Sequence, residues 1–135
     1  MISKKQIIEL IIDACPSYKS RWEEYCSNSY NDGEEMLLYV DVSDFVQHII
    51  NLYKKNDLKE FDKVFDLIEL LHINGDEYVK ELATIGILES MQNLCLNSDL
   101  NPEIFVQYLK AESKKWWDSL NDFWSGKSKY VGENI

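Results

Sequence analysis

Apolar residues recur at spacings of three and four along most of the chain, and the strongest such stripe lies between Gly75 and Leu94. Tyr78, Val79, Leu82, Ile85 and Gly86 carry it, and Leu88, Met91, Leu94 and Cys95 extend it. Asn74 and Gly75 end the helix before it, and Asp76 and Glu77 place negative charge in its first turn. A helix apolar over this much of its circumference belongs in the middle of a packed bundle. Gly86 sits inside the stripe, where glycine costs about 1 kcal/mol relative to alanine. A close helix contact is therefore expected there.

The remaining pattern is also helical. A first helix is predicted from Ser3, as N-cap, to Ala14. Pro16 opens a second segment whose Tyr18, Trp22, Tyr25 and Cys26 share one face, and residues 28–33 form a polar turn. Met36 to Val40 reads either as a helix start or as a buried extended run. Asp41 or Ser43 would cap the helix carrying Val42, Phe45, Val46, Ile49, Leu52 and Tyr53. Asn56 and Asp57 make a short turn into a helix from Leu58 to Ile73. Asn101–Pro102–Glu103 starts a last helix, expected to bend or leave the bundle where Glu112 and Lys115 interrupt its stripe, and Ser125–Gly126 stop it. Trp116 and Trp117 are adjacent, so one belongs to the core and the other is covered by the tail or left exposed. The predicted fold is all-α, a single domain over residues 1–135. It is an antiparallel bundle of about five or six helices with a frayed tail at 126–135. The short turns arrange residues 41–96 up-down-up, as in helical-repeat proteins, although no sequence repeat is present.

Composition narrows the function. With 135 residues the chain suits one domain that needs neither disulfide nor metal to fold. Its three cysteines, Cys15, Cys26 and Cys95, are odd in number and lack metal-ligand spacing. No apolar run is long enough to span a membrane, and the N-terminus reads as an amphipathic helix rather than a signal peptide. A cytoplasmic location is expected. The net charge of −10 disfavours nucleic acid and anionic membranes, and favours a basic partner or simple solubility.

Candidate chemistry is sparse. Glu69 and His72 make half of a di-iron motif whose other half is missing. Asp44 and His48, four apart, suit a metal or a surface pair. No nucleophile has a triad context and no glycine-rich loop could cradle phosphate. Neither catalytic residues nor a cofactor or metal site is expected.

Charge distribution says more. Between Trp22 and Tyr53 there is no lysine or arginine. The acids Glu23, Glu24, Asp32, Glu34, Glu35, Asp41 and Asp44 lie there among Trp22, Tyr25, Tyr30, Tyr39 and Phe45. Acids mixed with tryptophan and tyrosine suit a binding face for a basic protein. The candidate contact residues are Trp22, Glu23, Glu24, Tyr30, Asp32, Glu34, Glu35, Tyr39, Asp41 and Asp44. The plainer alternative is a solvated acidic surface over a hydrophobic core.

Over roughly residues 36–96 the chain resembles small acidic helical immunity proteins of bacterial toxin systems, including contact-dependent growth inhibition. Asp44–Phe45, the turn Asn74–Gly75–Asp76 and the helix from Glu81 to Glu89 carry the resemblance. It implies a cytoplasmic protein that binds and neutralises a cognate toxin domain, and it transfers no catalytic residue. With the charge, it suggests a basic toxin such as a nuclease. The alternative is a helical adaptor or scaffold without a toxin partner.

Overall fold

The computed structural model describes residues 1–31 and 33–135. These residues form seven α-helices: α1 (Ile7–Ala14), α2 (Lys19–Ser29), α3 (Leu38–Lys54), α4 (Phe61–Asn74), α5 (Glu77–Glu81), α6 (Glu89–Asn97) and α7 (Ala111–Trp124). A π-helical segment, Leu82–Leu88, joins α5 to α6, so residues 77–97 make one continuous rod. Counted as rods, the helices number six, as the stripes predict. No β-strand forms among the described residues.

The rod is the centre of the bundle. α3 lies along α6 and the π segment, α4 along α5, and α7 against α4 and the π segment. Leu82, Ala83, Ile87, Leu88, Met91 and Cys95 are buried on the rod, while Ile85 is only half-buried. Burying a side chain of leucine or isoleucine size contributes about 1.5–3 kcal/mol, so this stripe is a large part of the folding free energy. A Cβ on Gly86 would sit 2.8 Å from Leu82 Cδ1 and 3.1 Å from Val42 Cγ2. Glycine therefore lets α3 close on the π segment, the contact expected from the stripe.

Helix ends follow their capping chemistry. Asp76 caps α5 by accepting the Val79 N–H at 2.9 Å. Three helices end in the same left-handed motif. Asn56 (φ 57°), Asp99 (φ 58°) and Gly126 (φ 82°) take the residue after the cap. The next N–H returns to Leu52, Cys95 and Asp122 respectively. The motif at Asn56 stretches the expected two-residue turn, so α4 begins at Phe61 rather than Leu58. At the other end of α4, Ile2 donates to Asn74 and accepts from Asp76, both at 2.8 Å. A Cβ on Gly75 would collide there with the Leu71 carbonyl and Val79.

The C-terminal third differs from expectation in two places. The last helix is two elements: a 3-10 segment, Pro102–Tyr108, and then α7. Leu109 and Lys110 are extended between them. The 3-10 segment inserts Phe105 among Phe61, Phe65 and Tyr53. The break restarts α7 with its first N–H groups on the Glu69 carboxylate, at 2.8 and 3.0 Å. The final residues fold back instead of fraying. The Gly132 N–H donates to Ser119 Oγ at 2.6 Å, and Gly132 lies against Trp116. Trp117 is the core tryptophan, and Trp116 is the one the tail covers.

Candidate partner-binding surface

The base-free acidic stretch folds into α2, the linker after it and the first half of α3. Its candidate residues divide into an interior set and an outer set. Inside, α3 places Asp41 on its buried face, four residues before Phe45 and eight before Ile49. Asp41 is fully buried, and Oδ1 accepts the hydroxyls of Tyr25 at 2.9 Å and Tyr30 at 2.6 Å. Its Oδ2 has no partner among the described residues. Asp44, half-buried one turn on, takes the Tyr18 hydroxyl at 2.8 Å and the Arg21 guanidinium at 2.8 Å. The rings form a continuous ladder: Tyr18 against Trp22, Trp22 stacked on Tyr25 at 5.7 Å, and Tyr25 edge-on to Tyr30.

These contacts fix proton positions. Burial, and then the Asp41 carboxylate, push the Tyr25 and Tyr30 hydroxyls above the usual phenol range. Burial and Asp44 do the same to Tyr18. All three therefore act as donors. The bonds to Asp44 hold the Arg21 guanidinium firmly charged. Asp41 is consequently inside the protein rather than on the outer face expected for it, and Asp44 and Tyr30, both half-buried, spend these side-chain bonds within the protein. Asp41 and Ser43 also lie inside α3 and do not cap it, because the helix starts at Leu38.

Outside, Glu23 and Glu24 are exposed on α2, and Glu34 and Glu35 on the linker. Asp32 lies outside the described residues. Beside these acids, Met36, Leu37 and Val40 are exposed apolar side chains, with Leu37 at 62%. The sequence reading left residues 36–40 open between a helix start and a buried run. Met36 and Leu37 precede the helix, which starts at Leu38; Met36, Leu37 and Val40 are exposed, while Leu38 and Tyr39 are half-buried against the core. Trp22 is half-buried at the edge of a groove of about 600 Å³, which Ile8, Met36, Leu38 and Tyr78 also line. Glu35, Lys4 and Lys5 line it as well. Tyr39 packs edge-on against Tyr78 at 5.8 Å. Burial, and then Glu81, push its hydroxyl up to about 12.

The histidines serve the fold. His72 is buried between Thr84, with Oγ1 3.0 Å from Nε2, and the Ile68 carbonyl, 2.9 Å from Nδ1. The carbonyl can only accept, so Nδ1 carries the proton and the Thr84 hydroxyl donates to Nε2. Burial lowers the His72 pKa below its usual value. Glu69 accepts from the Glu112 and Ser113 N–H groups and the Ser113 hydroxyl of α7. His48 does not pair with Asp44. Its Nε2 lies 2.9 Å from Ser17 Oγ, whose proton goes to Glu60. His48 therefore donates to the serine, which is the reverse of a serine–histidine nucleophile pair. Burial pushes the neighbouring Cys15 thiol up to about 11, so it stays protonated. Among the described residues no group of three or more His, Cys, Asp or Glu is placed to hold a metal ion. No helix among them is long and apolar enough to cross a membrane.

The family described as Domain of unknown function (DUF7674) matches residues 8–125. No curated protein and no solved structure matches the chain.

Proposed function

The chain belongs to the DUF7674 family, and we propose that it is an immunity protein that neutralises a basic toxin domain by binding it. One observation carries the reading. Exposed Glu23, Glu24, Glu34 and Glu35 border exposed Met36, Leu37 and Val40, in a stretch with no lysine or arginine between Trp22 and Tyr53. An apolar patch with an acidic rim suits a partner that presents an apolar anchor inside a basic surface. A nuclease domain that grips phosphates is such a partner. The −10 charge steers it in, and the patch holds it. Inhibition follows by covering the toxin's substrate-binding surface, and this chain contributes no chemistry to it.

The test is kinetic binding, at two salt concentrations, to the protein encoded beside this gene. Reversing Glu23, Glu24, Glu34 and Glu35 to lysine adds two charges per site and moves the net charge from −10 to −2. Association should slow about tenfold or more at low salt and lose most of its salt dependence. The control reverses exposed Glu9, Asp13, Asp62 and Glu77, which gives the same net charge at other places. Equal slowing by both variants would mean that net charge alone acts. Absence of binding by the wild type would favour a helical adaptor without a toxin partner.

A further inference from the structure

The linker between α2 and α3 carries much of the proposed contact surface, yet hydrophobic burial does little to hold it. Glu34, Glu35, Met36 and Leu37 are all exposed. Its hydrogen bonding is also thin. Asn31 and Glu34 bond to each other, and the Leu37 carbonyl accepts from the first turn of α3. The remaining tie among the described residues is the Tyr30 side chain. Tyr30 leaves α2 in extended conformation and turns its ring inward. Its hydroxyl donates to Asp41 Oδ1 at 2.6 Å and accepts the Leu37 N–H at 2.8 Å. One phenol oxygen therefore joins the start of the linker, its end and the interior of α3.

Asp41 is an expensive residue to keep. It is a fully buried carboxylate with one oxygen unpartnered among the described residues, and the nearby arginine pairs with Asp44 instead. A core side chain at this position would pack without that penalty. What a carboxylate supplies is a strong acceptor for two phenol hydroxyls. We propose that Asp41 and Tyr30 form a latch that presents residues 34–37 in a ready-made binding geometry, so that Tyr30 and Asp41 are positioning residues for partner binding rather than contacts. This rests on the immunity reading for what is bound, and on the geometry alone for the latch. A linker fixed in advance loses less conformational freedom on binding, and affinity rises accordingly.

Tyr30→Phe removes the shared oxygen and leaves the ring. Tyr25→Phe is the matched control: it takes a hydroxyl from the same carboxylate oxygen, but that hydroxyl makes no bond to the linker among the described residues. Amide exchange of the free protein is read first. In Tyr30→Phe the Leu37 amide should exchange at least tenfold faster, while amides of the central rod keep wild-type protection. In Tyr25→Phe the Leu37 amide should stay protected. Affinity for the protein encoded beside this gene should fall about five- to thirtyfold in Tyr30→Phe and stay within about twofold in Tyr25→Phe. Unchanged Leu37 exchange in Tyr30→Phe would overturn the latch. Faster exchange with unchanged affinity would overturn its role in presentation. Should the wild type bind no such protein, the immunity reading falls, and the exchange result alone still upholds or overturns the latch.

Discussion

Two carboxylates at helix junctions, Glu69 half-buried and Asp41 fully buried, are treated in opposite ways. At the junction of α4 and α7, Glu69 uses both oxygens: the N–H groups of Glu112 and Ser113 and the Ser113 hydroxyl all donate to it. Burial alone would raise its pKa, but these three donors hold it below the usual range. Ser113 Oγ also lies 3.2 Å from His72 Nδ1, which extends the network to Thr84 in the rod. At the junction of α2 and α3, Asp41 is more deeply buried yet leaves one oxygen without a partner among the described residues. The first network closes on itself and ties three helices together. The second leaves a cost unrepaid next to exposed apolar side chains. A satisfied buried network reads as structure, and an incompletely satisfied one beside an open surface points to function.

The same substitution at the two acids sharpens this contrast and gives the largest expected effect. Glu69→Gln turns one acceptor into an amide NH₂ facing backbone N–H donors. It should destabilise by about 2 kcal/mol, as loss of charge-assisted bonds does. Asp41→Asn keeps one oxygen for the two tyrosines and exchanges an unpartnered oxygen for an unpartnered NH₂, while removing a buried charge. Its cost should stay under about 1 kcal/mol. Urea unfolding of both variants decides it. Equal losses would show that Asp41 Oδ2 has a partner, such as a buried water, and that the two junctions do not differ in kind.

Acid should separate the junctions next. His72 belongs to the closed network, and its folded pKa lies below the ordinary 6.5 because burial disfavours the cation. The unfolded chain therefore binds more protons below that value. The His72 contribution is complete above about pH 6.5 and is lost as pH falls, at no more than about 1.4 kcal/mol per pH unit. His48 is depressed too, first by burial and then by Arg21, and it adds loss of the same sign. Glu69, held below the usual range, stays ionised across the window from pH 7.5 to 5.5. Glu89, raised by burial, adds a gain of opposite sign towards the acid end of that window, so the histidines are read as the difference between variants. Unfolding midpoints should fall across it in the wild type, less in His72→Gln, and little in His48→Gln/His72→Gln. A slope undiminished in His72→Gln would place the acid sensitivity outside the closed network.

How far each junction was legible follows from sequence distance. The rod, its caps and the close approach at Gly86 could be read because helical stripes and cap residues are local signals. Asp41 carried a readable sign as well, since its spacing to Phe45 and Ile49 puts it on the buried face of α3. Its charge drew it into the outer acidic set instead. The Glu69–Ser113 bond was not legible. Its partners stand 44 residues apart, and nothing local in α4 announces that a later helix will start on it. The break at Leu109–Lys110 has the same origin, because a tertiary anchor decides where α7 begins. Met36 and Leu37 were visible as apolar residues, but their exposure depends on where α3 starts.

The smallest effect on stability should be the most discriminating for function. Leu37 is 62% exposed beside the open junction, and Leu96 is 64% exposed at the end of α6. Each gains little from burial, so Leu37→Ser and Leu96→Ser should each change stability by no more than about 0.5 kcal/mol. Their effects on binding should diverge. If the patch at 36–40 is the apolar anchor site, Leu37→Ser should weaken binding to the protein encoded beside this gene by about tenfold, mainly through faster dissociation. That kinetic signature differs from the association-rate loss expected of the glutamate reversals. Leu96→Ser should bind like the wild type. If the two serine variants weaken binding equally, the exposed leucines act through general surface hydrophobicity. The open junction would then have no special claim to the partner.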